Sequence, residues 1–300
     1  MPASTAVNPI VCFGEILWDV FPKRSLPGGA PLNVAYHLHK LGGHPALISR
    51  FGMDEAGKKL INLVDGYGIA TDHFQLDAEW PTGKVIASVQ EDYEVIYDII
   101  HPVAWDYIQW EDGYEKIVSQ APYFVFGSLA ARSPVSRNTL YRLLSVAPCR
   151  VLDANLRPPH YSREVIEKLF IGLHLLKLNR SELELITGWF SSYQSVAERI
   201  QLLQDRFHIP HIVVTNGRHG AVFNAEGVLY EHPGFNVRVV DTVGSGDSFL
   251  AALLTKLSAG EPPEDALRFA NAVGALVASK KGACPGYHTE EIDDLIHGPP

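Results

Sequence analysis

Three hundred residues are long for one hydrophobic core and short for two full-sized ones, so one large α/β domain with an appendage, or two modest domains, is expected. A hydrophobic share of 46% beside 20% charged residues is that of a globular chain and excludes general disorder. The 34 acidic residues outnumber the 25 basic ones, for a formal charge of −9, and no basic patch offsets it. Such a surface repels nucleic acid and anionic lipid.

Residues 1–9 are small and polar with no basic start, and the apolar stretch after them is broken by Glu15 and Asp19. Neither a secretion signal nor a membrane span is expected, and the chain is placed in the cytoplasm. Cys12, Cys149 and Cys284 lie far apart without a C-x-x-C pair, and are taken as buried thiols in a reducing compartment.

Short apolar runs alternate with amphipathic stretches. Strands are expected at Ile10–Gly14, Ala46–Phe51, Tyr123–Gly127, Arg150–Asp153, Leu175–Leu178 and Ile212–Asn216. Helical periods fall at Pro31–Leu41, Glu55–Tyr67, Glu115–Gln120, Ser136–Ser145, Glu164–Gly172, Ser181–Thr187, Gln194–Phe207 and Ala266–Ser279. Continuous Val/Ile/Leu runs with helices between them predict a doubly wound, mostly parallel sheet covered on both faces. Two stretches break the rhythm. Thr82–Gln90 and Glu94–Ile100 alternate around Glu91-Asp92-Tyr93, with Val85, Ala87, Val89, Val95, Tyr97 and Ile99 on one apolar face. A lone hairpin is marginal in water, so it should pack on the main domain, a substrate or a second subunit. A second hairpin is expected late in the sheet, Ala221–Asn224 with Val228–Glu231 across Glu226-Gly227.

Two glycine turns carry candidate chemistry. In the first, Gly28-Gly29-Ala30-Pro31-Leu32-Asn33 opens a helix with Pro31 suited to its first position, and Asp19 stands upstream. Amide and carboxylate groups so placed suit the hydroxyls of a small polar molecule. In the second, the alternating run Val237–Asp241 leads into Thr242-Val243-Gly244-Ser245-Gly246-Asp247 and then a strongly helical segment. Small residues at a helix start leave main-chain N–H groups pointing one way with the positive end of the dipole behind them, which is an anion cradle. Asp247 beside it is either an acid favouring that dipole or a carboxylate placed to accept a hydroxyl proton during phosphoryl transfer.

Together these turns resemble the PfkB (ribokinase-like) family of carbohydrate kinases, fructokinase-like branch. Gly28-Gly29-Ala30-Pro31-Leu32-Asn33-Val34-Ala35 matches the family's N-terminal motif and Asp241-Thr242-Val243-Gly244-Ser245-Gly246-Asp247 its C-terminal one, usually DTTGAGD. The resemblance implies one ribokinase-like α/β domain over residues 1–300, with a small β lid from about 15–27 and 82–101. It implies Asp247 as catalytic base, with the N–H groups of Gly244, Ser245, Gly246 and Asp247 stabilising the phosphoryl group. Asp19, Gly29 and Asn33 would hold the sugar, joined by Arg157 from Asp153-Ala-Asn155-Leu-Arg157-Pro; Ala104-Trp105-Asp106 is a further likeness to the fructokinase branch. Asn179-Arg-Ser-Glu182 looks like the family's N-x-x-E element, with Asn179 near the nucleotide's phosphates and Glu182 organising Mg²⁺ through water; Ser181 and Glu184 as a capping box is the alternative. Thr215, Gly217 and Gly220 resemble the nucleotide loop, with Asn271 near the adenine. A monovalent cation, K⁺, would take Asp241 and the carbonyls of Val243, Val277, Lys280 and Gly282, with Gly286 nearby.

The implied activity is transfer of the γ-phosphoryl group of ATP to a primary hydroxyl of a small sugar, fructose first. Ribose and 2-keto-3-deoxygluconate are the alternatives within the family, a non-catalytic sugar sensor and a nicotinamide dehydrogenase those outside it, and a homodimer through the lid is a further expectation. Gly52-Met-Asp-Glu-Ala-Gly57-Lys58-Lys59 nearly fits a P-loop, but Lys59 lacks the hydroxyl and Asp54-Glu55 would oppose a triphosphate.

Overall fold

Apolar strands too short to shield one another need cover on both faces, and the helices between them supply it. The computed structural model describes residues 8–89, 95–192 and 195–298. The first half of the chain runs β1 (Val11–Phe13), β2 (Leu17–Phe21), β3 (Arg24–Gly28), α1 (Ala30–Lys40), β4 (Ala46–Gly52), α2 (Glu55–Gly66), β5 (Phe74–Asp77), β6 (Gly83–Val89), β7 (Val95–Ile99), α3 (Asp112–Gln120), β8 (Phe124–Gly127) and α4 (Pro134–Leu144). The second half runs β9 (Arg150–Asp153), α5 (Arg163–Leu169), β10 (Leu175–Asn179), α6 (Arg180–Gly188), α7 (Val196–Phe207), β11 (His211–Thr215), β12 (Ala221–Ala225), β13 (Val228–His232), α8 (Ser245–Ser258), α9 (Pro263–Ala278) and α10 (Thr289–His297).

Among the described residues a nine-stranded sheet has the order β13-β12-β11-β10-β9-β8-β1-β4-β5. From β11 to β5 the neighbours are parallel, and β12 and β13 close one edge antiparallel. One core lies on each face: Phe13, Trp105, Phe124, Leu152, Leu176 and Ile212 on one side, Cys12, Leu32, Val125, Leu250, Ala270 and Val273 on the other. Residue parity along the strands sends neighbours to opposite faces. Helices α8 and α9 pack tightly, with Gly274 facing the Ser245 carbonyl and the Phe249 side chain. No helix is long and apolar enough to cross a membrane among the described residues.

The hairpin β6-β7 belongs to a second sheet of order β3-β2-β6-β7, in which β2 and β3 lie beside it. Parallel pairing of Asp19 with Val85, and antiparallel pairing of Val85 with Ile99, puts all three on one face. Val85, Ala87 and Ile99 on that face are buried, whereas Tyr97 is 56% exposed, because the outer end of the sheet reaches past the main domain. Gln90, the turn Glu91-Asp92-Tyr93 and Glu94 fall outside the described residues, as does Gln194.

One expectation is corrected: Cys12 is buried, but Cys149 and Cys284 are only partly so. The alternating run Val237–Asp241 forms an irregular segment, with Val239 and Val240 about half exposed. Trp105 is fully buried, with the Arg132 guanidinium 3.9 Å from the centre of its ring.

Candidate active site

The two glycine turns meet. Helix α1 starts at Gly29, whose φ of 109° and whose approach to the Glu15 carbonyl (2.4 Å from an ideal Cβ) leave no room for a side chain. Gly28 is equally closed in: a Cβ there would stand 2.3 Å from Asp19 Oδ2. Asn33, one turn into α1, donates from Nδ2 to Asp247 Oδ2 at 2.7 Å, although the two lie 214 positions apart. Asp19, Gly28, Gly29, Asn33 and Asp247 thus form one polar cluster. Arg157 is exposed, donates to the Leu156 carbonyl, and adds positive charge near Asp19 and Asp247.

Helix α8 starts at Gly244, with φ 78° and no side-chain cap. Ser245 N–H donates to the Thr242 carbonyl at 3.3 Å, and Ser248 N–H to the Gly244 carbonyl at 2.8 Å. Gly244, Gly246 and Asp247 N–H have no acceptor among the described residues. Three of the four predicted amides are therefore free; the fourth closes the turn. The near-P-loop turn behaves otherwise, since Asp54 fills it by accepting from Gly57 N–H (2.7 Å) and Thr82 Oγ1 (2.7 Å).

Burial pushes the Asp247 carboxyl up to about 6, with Asp153 adding to the rise and Lys177, Asn33 and Arg157 opposing it. Asp19 is likewise raised to about 6 by burial, against the pull of Arg157. A carboxylate near 6 is ionised at neutral pH yet basic enough to take a proton.

A cavity of about 560 Å³ adjoins the cradle. Thr215, Gly217, Gly220 and Asn271 line it, together with Ser245 and Gly246. Gly220 cannot be replaced without a clash, for a Cβ would lie 1.9 Å from the His232 carbonyl. Asn271 turns its amide back to the Leu267 carbonyl at 2.8 Å. The Pro233–Asn236 segment, Val237 and Val239 also line this cavity and were not singled out from sequence; their exposed apolar alternation was the available signal. Asn179 is not in the lining. It caps α6, accepting from Glu182 N–H at 2.9 Å.

Glu182, at the third helical position, returns the capping-box bond to Asn179 N–H (2.8 Å), so the box is Asn179–Glu182 and not Ser181–Glu184. Its other oxygen accepts Leu156 N–H at 2.7 Å. Asp241 spans two loops, accepting from Val243 N–H and from Gly282 N–H, each at 3.1 Å. Lys280 N–H donates to the Val277 carbonyl at 3.0 Å; among the described residues no backbone hydrogen bond joins Gly286 to this turn.

Sequence reasoning missed two buried charges. Glu15, 3% exposed, takes Ala30 N–H on Oε1 while Oε2 has no partner, and burial raises its pKa to about 7. Lys177, 6% exposed on β10, donates to Asp153 Oδ2 at 2.5 Å. A lone cation in the run Leu175–Leu178 was the signal that a buried partner must exist.

The family profile of pfkB family carbohydrate kinases matches residues 12–290. The chain belongs to that family. Like other pfkB members it is an ATP-dependent carbohydrate kinase. It is 30% identical to probable fructokinase-5 of Arabidopsis thaliana, over 93% of this chain and 94% of the relative. It is 29% identical to fructokinase-1 of Oryza sativa subsp. japonica, over 94% and 95%. Among solved structures, a Vibrio cholerae fructokinase double mutant with fructose, ADP and potassium ion superposes with TM-score 0.83 at 24% identity, covering 98% of this chain and all of the other. Arabidopsis thaliana ribokinase with ribose and ATP superposes with TM-score 0.82 at 23% identity, over 97% and 99%. These structural likenesses establish the ribokinase-like fold.

Proposed function

We propose that this chain phosphorylates fructose on its primary hydroxyl, giving fructose 6-phosphate. The observation that carries this is the Asn33–Asp247 hydrogen bond, which unites a hydroxyl-binding cluster with the open end of α8. Asp19, Gly29, Asn33 and Arg157 hold and orient the sugar. Asp247 accepts the proton of the attacking hydroxyl, and the amides of Gly244, Gly246 and Asp247 offset the charge on the phosphoryl group. The cavity lined by Thr215, Gly217, Gly220 and Asn271 receives the nucleotide. The names of the curated relatives favour fructose over ribose or 2-keto-3-deoxygluconate.

Glu182 has each oxygen engaged by one amide, leaving lone pairs suited to a hydrated ion, and among the described residues no group of three or more His, Cys, Asp or Glu side chains is placed to hold a metal ion directly. That arrangement fits Mg²⁺ held through water; when bound, the ion would neutralise phosphate charge. Carbonyls around Asp241 fit K⁺, with Gly286 at the margin. The second sheet acts as a lid, its open apolar end at Tyr97 covering the sugar or pairing with the lid of a second copy. Three free thiols among the described residues suit the cytoplasm. A coupled ADP-release assay across fructose, ribose and 2-keto-3-deoxygluconate, with and without Mg²⁺ and K⁺, tests the reading. Turnover highest on fructose is expected; faster turnover on another sugar overturns the assignment.

A further inference from the structure

A full positive charge lies buried behind the cradle. A Cβ placed on Gly246 would stand 3.2 Å from Lys177 Nζ and 3.7 Å from its Cε, so the ammonium abuts the turn whose amides are free. One of its three donors is spent on Asp153 Oδ2; it makes no other hydrogen bond among the described residues. Asp153 in turn has Oδ1 buried without a partner, so the pair is not saturated from either side. Burial alone would pull the ammonium down, yet Asp153, Asp247 and Glu182 hold its pKa above the ordinary lysine value, so it stays charged. A pair of this kind is poor value for stability alone, because desolvating both ions offsets their attraction.

We propose that Lys177 is a catalytic residue of this kinase: its ammonium, anchored by Asp153, binds the non-bridging oxygens of the phosphoryl group as it crosses the Gly244–Asp247 cradle. Its two uncommitted donors complete the ring that three main-chain amides begin. Asp153 is a positioning residue, fixing Nζ against Gly246 and away from an ion pair with Asp247 that would silence the base. Gly246 is glycine because a side chain would stand between the ammonium and the anion. The inference rests on the kinase reading of the site above.

The test compares the full-length chain with Lys177→Gln and with Lys177→Gln combined with Asp153→Asn. The single change strands the Asp153 carboxylate and can fail to fold; the paired change removes both members of the ion pair, and its fold is checked by circular dichroism and melting. In the paired variant kcat is expected to fall on the order of 10²–10³-fold, as for loss of one preorganised donor. By calorimetry, ADP and sugar should bind within about threefold of the unmodified chain, since neither carries the transferred group. Tetrafluoroaluminate added with ADP and sugar, a stand-in for the phosphoryl group in flight, should no longer tighten the complex. A folded paired variant with kcat within about threefold of the unmodified chain overturns the proposal. So does a loss of ADP affinity as large as the loss of kcat, which would mark a structural role. Absence of ADP release by the unmodified chain with every sugar would instead overturn the kinase reading itself.

Discussion

The starts of α1 and α8 are the same local device with opposite outcomes. Each helix begins at a glycine of positive φ, in a turn rich in small residues, with no side-chain cap. At α1 the exposed amide of Ala30 is met by the Glu15 carboxyl at 3.3 Å, and Pro31 has no N–H to offer. At α8 no side chain accepts from the turn, and three amides stay open beside Asp247. The turn around Asp54 makes the same point, its amides being taken by its own cap. A helix N-terminus is thus a potential anion site, and the tertiary neighbours decide whether the protein itself fills it.

The largest test of this contrast removes the base from the open end. Asp247→Ala should lower kcat by roughly 10²–10⁴-fold while the sugar dissociation constant changes little, since Asp19 and Gly29 still hold the sugar. Steady-state kinetics and calorimetry check it; unchanged kcat would separate the cradle from catalysis.

The filled end is probed through its buried acid. The folded pKa of Glu15, about 7, lies above its unfolded value, so the folded state binds the extra proton. Its stabilisation is complete below the unfolded pKa and is lost as pH rises through about 7. Asp19 and Asp247, each raised to about 6, act with the same sign. Chemical denaturation should show stability of the ligand-free protein falling from pH 5 to 8. Glu15→Gln, which mimics the protonated acid, should flatten that slope by on the order of 3 kcal/mol. A slope unaffected by Glu15→Gln would mean that Glu15 is already ionised in the fold.

Gly244→Ala is a smaller perturbation of the open end. Its φ of 78° and a Cβ 2.6 Å from Ala283 Cα force the turn to shift. A stability loss of about 1–3 kcal/mol is expected, together with a lower kcat as the amides swing off target. At the far edge of the second sheet, Tyr97→Ser should change stability by less than about 0.5 kcal/mol, because the ring is mostly in water. A raised KM for the sugar, or a loss of self-association in sedimentation, would show what that ring covers.

The amino-acid sequence by itself determined most of the main sheet's strands and helices and the two glycine turns, though not β5 or α10. Val/Ile/Leu runs can be satisfied only inside a covered parallel sheet, and Gly28-Gly29 and Gly244–Gly246 permit backbone that other residues resist. Cavity-lining positions such as Thr215 and Gly220 were legible for the same local reason: a strand end followed by a tight turn. Tertiary structure alone decided which turn stays open, that Asn33 reaches Asp247, that Asn179 and Glu182 cap α6, and the strand order and register of the second sheet. It also decided the partner of Lys177. These depend on contacts between residues tens to hundreds of positions apart, where electrostatics and burial act through space, and no local spacing records that distance.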